Sequence, residues 1–442
     1  MSRVLSSDYQ SRLDSAVPEK ASSVAKRAAT ASATGTAVEY YEFGVYGYMA
    51  VIIGPLFFPN DNPTASLLAA LAVFGSSFLI RPLGGVLLGR LGDKIGRRKV
   101  LLTTVIGMGF ATVAIGLLPT AAQIGILAPM LLVLMRLIQG FFAGAEVIGA
   151  AAFVAESSPT GRRGFFGSFT PVGVAIGGAT AAIVCAITTG LLSDDQLREW
   201  GWRIPFLLSI PLVLLSCKMR HNVEETPEFK AFLQKEQPPK APIKEVLSNH
   251  LGSLTRVIML TFGQNAGYWI GLVFMNVYLT TYLGFDKSKV FWVIACISLC
   301  MAAMMPFWGA LSDRLGRRKV LTIGFVGYIG LVIPMMMLMD SGSLWIAALA
   351  MFIATLPMPI IQSVGYPTYA EQFPTRVRYT AMAISFNIGA ILGGGITPYV
   401  VTWIIGKTDF LLTPGFFMAG AALCALLALL TLRETAHKEL SR

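Results

Sequence analysis

Long apolar runs separated by short polar breaks recur from residue 34 almost to the last residues of the chain. A helix needs about 20 mostly apolar residues to cross roughly 30 Å of hydrocarbon. Runs of that size lie near 34–57, 66–89, 100–119, 128–153, 166–190 and 203–219, then 256–283, 289–311, 320–339, 343–366, 378–404 and 410–432. The strands of a membrane β-barrel would instead alternate apolar and polar residues over about ten positions, a pattern absent here. The chain is therefore predicted to be an all-α integral membrane protein with twelve transmembrane helices.

The longest polar connection, 220–255, holds Pro227, Pro238, Pro239 and Pro242 among mixed charges and divides the runs six and six. It predicts a polar tail over 1–33, a six-helix bundle over 34–219, a linker, a second bundle over 256–432 and a short tail over 433–442. Residues 1–33 lack a compact apolar core with a cleavage site, so the first helix is expected to remain in the mature protein. The halves also repeat each other. Gly89-Arg-Leu-Gly-Asp-Lys-Ile-Gly-Arg-Arg-Lys-Val-Leu101 matches Gly309-Ala-Leu-Ser-Asp-Arg-Leu-Gly-Arg-Arg-Lys-Val-Leu321 at nine of thirteen positions. Ala155-Glu-Ser-Ser-Pro-Thr-Gly-Arg-Arg163 echoes Ala370-Glu-Gln-Phe-Pro-Thr-Arg-Val-Arg378, each after the fourth run of its half. Two echoes in register point to duplication. Duplicated bundles suit alternating access about a midplane site, and so predict transport.

Composition agrees: 55% of residues are hydrophobic and only 13% charged. Of the 35 Lys and Arg, four (Arg198, Lys287, Lys289, Lys407) fall on one side of the predicted helices and three (Arg81, Arg136, Arg203) within or at the edge of runs, leaving 28 on the other side. Basic loops face the cytoplasm, so both termini are predicted there, in a multi-pass protein of the cell membrane. The net charge of +11 then reflects topology and attraction to anionic lipid rather than nucleic acid. The five cysteines show no extracellular pairing pattern, and Cys296 and Cys300, at i, i+4, have no His or carboxylate beside them. No disulfide, metal or cofactor is implied. The three histidines, His221, His250 and His437, lie in polar connections and form no catalytic set, so no enzyme activity is expected.

Ionisable residues inside membrane helices are costly and mark pathways or pairs. Six stand out, Glu39, Glu42, Glu146, Arg81, Arg136 and Arg203, and their charges sum to zero. Glu39, Glu42 and Tyr46 are spaced to share a helix face. Two adjacent acids cannot both ionise cheaply in a low dielectric, so one is expected to carry a proton; the alternative is that both neutralise arginines, Arg136 among them, or reach cytoplasmic water. Arg136, Gln139 and Glu146 share a stripe on the fourth helix. Arg136, Arg81 and Arg203 can hold a carboxylate by charge-assisted hydrogen bonds, whereas Arg81 can also snorkel and Arg203, beside Trp200 and Trp202, can anchor at the interface. In the second half Gln264, Asn265, Tyr268, Trp269, Asn276 and Gln362 supply amides and aromatic faces, for a substrate or for helix packing. A cation held by Tyr268 or Trp269 would favour a quaternary ammonium substrate. In the repeated loops Asp93 and Asp313 can meet a neighbouring helix N-terminus, and with Arg97, Arg98, Arg317 and Arg318 they are read as gating residues beyond a merely topogenic basic loop.

The repeated loops resemble those of the major facilitator superfamily, over essentially the whole chain. Glu39-Tyr-Tyr-Glu-Phe-Gly-Val-Tyr-Gly47, Arg81-Pro-Leu-Gly-Gly85, Arg136-Leu-Ile-Gln-Gly140, Gly201-Trp-Arg-Ile-Pro-Phe206 and Glu371-Gln-Phe-Pro-Thr-Arg-Val-Arg378 are similar to its metabolite:proton symporters, which carry shikimate, 2-oxoglutarate, citrate and proline or betaine. Tyr40 stands where that group has Trp, Glu42 where it has Asp, and Ala145-Glu-Val-Ile-Gly149 where Gly-Glu-Trp-Gly-Gly is common. The resemblance implies the two-bundle fold and a part in proton transfer for Arg136. The combined expectation is a monomeric proton symporter of a small polar metabolite, an organic carboxylate being preferred because arginines are available inside. Symport of a zwitterionic osmolyte and efflux antiport are the alternatives.

Overall fold

The computed structural model describes residues 19–95, 97–221 and 242–440. Every regular element in that part of the chain is helical. Lipid offers backbone groups no hydrogen-bond partner, and a helix satisfies them internally. We number the membrane helices α1 (Glu19–Phe57), α2 (Pro63–Ile95), α3 (Arg97–Leu117), α4 (Leu127–Ser157), α5 (Arg163–Leu191), α6 (Gly201–Lys218), α7 (Leu251–Tyr282), α8 (Lys287–Leu315), α9 (Arg317–Met339), α10 (Leu344–Glu371), α11 (Thr375–Thr408) and α12 (Thr413–Leu430). Eleven are long and apolar enough to cross a membrane. The twelfth, α1, has the length, 39 residues, but two glutamates and four tyrosines lower its apolar character between 39 and 48.

Helix α1 begins at Glu19, inside the segment read as a polar tail, because Ala25, Ala28 and Ala29 form a small-residue face that packs with Val154 and Phe166. Most of the predicted linker, 222–241, and residues 1–18 lie outside the described residues, as do the side chains of Asp93, Arg97 and Arg98.

Within the first half α1 lies along α5, and α2 along α4. Glycine makes the second contact possible: a Cβ on Gly140 would stand 2.0 Å from the Ser77 carbonyl oxygen, and one on Gly144 2.0 Å from that of Arg81. Such backbone-to-backbone packing is how membrane helices associate without a hydrophobic driving force. It also sets Arg136 of α4 beside α2. Two seams join the halves, α5 on α8 and α2 on α11.

Helix α7 contains π-helical turns at Trp269–Phe274 and Tyr278–Tyr282, and α11 one at Ile391–Gly395. A π turn inserts a residue and turns the side chains that follow it. In α11 it presents three glycines: Cβ atoms there would meet the Phe262 oxygen at 2.5 Å, Trp269 Cδ1 at 2.4 Å and Phe78 Cβ at 2.7 Å. Trp269 is thereby wedged between α11 and α2, at the centre of the molecule.

The halves touch at both ends. At the face bearing the 309–321 loop, Asp313 accepts the N–H groups of Gly164 and Phe165 (2.8 and 2.9 Å), Arg378 pairs with Glu156 (3.1 Å), and Asn387 donates to the Gly144 carbonyl (3.1 Å). At the opposite face Ser288 donates to the Ala186 carbonyl (2.9 Å), Asn276 to that of Tyr48 (3.1 Å), and Lys287 pairs with Asp194 (3.2 Å). The arrangement is occluded.

Candidate functional site

The buried charges of the first half gather on α1, α2 and α4, and the structure divides them into two systems. In one, Arg81 of α2 lies 3.5 Å from Glu39 of α1. Its guanidinium rests on the rings of Phe43 (4.1 Å) and Phe78 (4.5 Å), and the Tyr40 hydroxyl is within hydrogen-bonding reach of it. Nε and Nη2 of Arg81 are buried without a hydrogen bond. Those two atoms form the edge that grips a carboxylate side-on.

In the other, Arg136 of α4 packs over Tyr46 (4.3 Å), Phe43 (4.9 Å) and Phe74 (5.3 Å). Its Nη1 donates to Gln139 Oε1, and its Nη2 to Ser77 Oγ (2.7 Å) and the Phe74 carbonyl (3.2 Å). Gln139 donates onward to the Thr112 hydroxyl (2.7 Å), which lies within reach of Glu42. Glu42 is fully buried; Ser209 Oγ donates to its Oε1 (2.5 Å), and its Oε2 has no partner. Glu42 forms no ion pair among the described residues. The Thr112 hydroxyl donates to the Met108 carbonyl (3.0 Å), so the neutral Gln139 and Thr112 stand between the Arg136 cation and the Glu42 carboxyl.

One expectation is met in part: Glu39 pairs with an arginine, but with Arg81, while the hydrogen-bond partners of Arg136 are neutral. Positions i and i+3 diverge enough for Glu39 to face α2 while Glu42 turns to Ser209 of α6. Tyr46 donates to the Ala70 carbonyl (3.2 Å) with its ring under Arg136. Glu146, just past a break in α4, accepts from Thr104 (2.8 Å). Arg203 stands apart: its Nη1 donates to the Gly116 and Leu118 carbonyls (2.8 and 2.6 Å) at the end of α3.

The second half contributes an aromatic and amide wall. Tyr40 stacks on Trp269 (5.9 Å, 19° between planes), and Tyr268 meets both rings edge-on. Phe43, Phe74 and Phe78 close the other side of Trp269, whose buried Nε1 has no acceptor. Gln264 donates to Gln362 (2.7 Å) and accepts from Tyr369 (2.5 Å), while Tyr366 is within hydrogen-bonding reach of Tyr40. Asn265 turns away and donates to the Thr261 carbonyl of its own helix. At the gating loops Asp313 and Arg317 pair at 2.9 Å, and Arg318 donates to the Leu430 carbonyl.

Sequence reasoning missed Ser77, Thr112, Ser209 and Tyr369, isolated hydroxyls with no pattern to reveal them. It passed over Phe43, Phe74 and Phe78, because a phenylalanine in an apolar run carries no mark of a binding role. Spacing offered one signal: Phe74, Phe78 and Arg81 lie four and three residues apart, on one face of α2.

Comparison with known proteins places this arrangement. The Major Facilitator Superfamily model matches residues 32–383 and 257–442. The chain belongs to that superfamily. It is 36% identical to a proline/betaine transporter of Salmonella typhimurium over 94% of this chain and 85% of that protein. It is 38% identical to the glycine betaine/proline/ectoine/pipecolic acid transporter OusA of Dickeya dadantii, over 94% and 84%. The proton:xylose symporter XylE superposes with a TM-score of 0.77 at 18% identity, covering 95% of this chain and 98% of that one, a shared fold. The chain is a multi-pass membrane transporter of the superfamily.

Proposed function

We propose that this transporter imports a small zwitterionic osmolyte of the betaine or proline class together with a proton. The reading rests on one observation: the Nε and Nη2 edge of Arg81, buried without a hydrogen bond and with Nη2 facing Glu39 across 3.5 Å, adjoins the aromatic wall of Tyr40, Phe43, Phe78 and Trp269. A carboxylate on Arg81 and an ammonium against Tyr40 and Trp269 would satisfy both ends of a zwitterion; a quaternary ammonium needs aromatic faces and no hydrogen-bond acceptor. A plain organic anion would leave that wall without a role. The relatives named above carry proline, betaine and ectoine, which favours the zwitterion over the organic carboxylate preferred from sequence.

Glu42 is our candidate for the coupling proton. An ionised carboxylate in that dry position, lacking a cation, would cost several kcal/mol, so the neutral acid belongs to the occluded state. Release of the proton would leave an anion facing Arg136 across Thr112 and Gln139, an attraction that changes α1 relative to α4. Glu39, already beside Arg81, is the group that substrate carboxylate would displace. Gln264, Gln362 and Tyr369 would flank the substrate from the second half. We place the basic face and both termini in the cytoplasm on the strength of the 28 basic residues there, and one chain holds the whole site.

Calorimetric titration of purified protein tests the cargo. Glycine betaine or proline should bind with a stoichiometry near one and compete with each other. Saturable binding of 2-oxoglutarate or citrate with none of either zwitterion would overturn the assignment.

A further inference from the structure

The residues after α12 fold back onto the protein. Leu432 and Ala436 are buried, and Glu434, Thr435 and Lys438 between them touch both halves. The Glu434 carboxylate accepts the N–H groups of Arg317 (2.9 Å) and Arg318 (3.1 Å), the first residues of α9, and those of Thr435 and Ala436 (both 3.0 Å). Four orphan donors at a helix N-terminus and an adjoining turn make a tight carboxylate seat. Gly316, at φ 98°, shapes that seat: a Cβ there would lie 2.6 Å from Glu434 Oε2. The Thr435 hydroxyl donates to Glu371 (2.6 Å). Three residues on, the Lys438 carbonyl accepts from Arg163 Nη1 at 2.8 Å. Arg163 opens α5, in the other half.

We infer that residues 434–438 are a strap across the basic face, anchored on α9 and α10 of the second half and gripping α5 of the first, which must release Arg163 whenever that face opens. The surfaces that part there are those the strap spans, since Asp313 of α8 already caps the α5 N-terminus. Glu371, 3.2 Å from Arg317 and 3.9 Å from Arg163, belongs to the same knot, so the tail is tied into the gate. The crossing contact is a main-chain carbonyl. Its position is set by how Glu434 and Thr435 are seated and not by the Lys438 side chain, which is exposed. Ionisation supports the reading: burial pushes the Glu434 carboxyl up, yet the four backbone donors outweigh it and hold the group below the usual carboxylate range.

The test is alkylation of one reporter cysteine, Ser168→Cys, in full-length protein in nanodiscs with the five native cysteines replaced. Ser168 is fully buried behind the α5–α8 seam and reacts with a maleimide only when the basic face opens. Glu434→Gln and Thr435→Val should each raise the alkylation rate about tenfold, the change expected from losing one charge-assisted anchor. Lys438→Ala, which keeps the carbonyl, should leave it unchanged. A rate unaltered in both anchor variants, at normal thermal stability, overturns the strap, as does a Lys438→Ala rate matching theirs. The readout needs no substrate, so it stands or falls independently of the cargo assigned above.

Discussion

Replacing Glu42 by glutamine tests the coupling proposal with little damage to the fold. The glutamine carbonyl keeps the hydrogen bond from Ser209, and its amide takes the place of an oxygen that has no partner. A neutral zwitterion moving with one proton carries one positive charge. A membrane potential of 100 mV then contributes about 2.3 kcal/mol and one pH unit about 1.4 kcal/mol. Their sum, about 3.7 kcal/mol, sets an accumulation limit of roughly 500-fold. A monoanion with one proton would feel only the pH gradient, a limit of about 10-fold. Proteoliposomes with both gradients imposed separate these cases. Wild-type protein should accumulate labelled betaine far beyond tenfold and lose most of that when valinomycin and potassium abolish the potential. The Glu42→Gln protein should bring labelled substrate only to equal concentrations, about 1-fold, while counterflow exchange persists. Proton-driven accumulation by Glu42→Gln would refute the assignment of Glu42, and wild-type accumulation indifferent to potential would refute the neutral zwitterion.

Arg81→Lys should weaken betaine binding about 10- to 100-fold by calorimetry, because an ammonium cannot reproduce the two-point edge. Trp269→Leu should weaken betaine binding about 3- to 30-fold and proline binding less, as removal of an aromatic face predicts for a quaternary ammonium. Gly394→Ala forces a methyl to 2.4 Å from Trp269 and should lower the apparent melting temperature, together with a loss of betaine affinity that a second-site Trp269→Phe partly restores. Glu434 gives a pH dependence. With its folded value depressed, its contribution to stability is full above the ordinary carboxyl range near 4.5 and disappears as pH falls through the lower folded value. Melting curves should therefore fall more steeply below about pH 4.5 for wild type than for Glu434→Gln.

Helix number and the burial of Glu39, Glu42, Glu146, Arg81 and Arg136 were legible because a membrane imposes one length scale and a severe charge penalty. Pairing was not. Helical spacing put Glu39 and Glu42 on a common face, yet α1 is surrounded on all sides, and a 60° difference suffices to give each a different neighbour. Arg203 looked like Arg81 in sequence, but the carbonyls it caps lie on α3, a contact only tertiary structure reveals. The π turns at Trp269–Phe274 and Ile391–Gly395 were equally hidden, since glycine and tryptophan in an apolar run carry no mark of an inserted residue.

The seam between α5 and α8 is closed by main chain: a Cβ on Gly309 would meet the Gly164 oxygen at 2.4 Å, and one on Gly164 would meet the Gly309 oxygen at 2.3 Å. On the other seam a Cβ on Gly75 would meet the Gly395 oxygen at 2.6 Å. In mechanical terms these are hard stops. Side-chain gates yield by changing rotamer, whereas two backbones in contact have no softer arrangement, so the carrier travels between fixed limits. A single methyl group at the α5–α8 stop acts as a shim, biasing the resting position of the whole machine without touching the groups that hold its cargo.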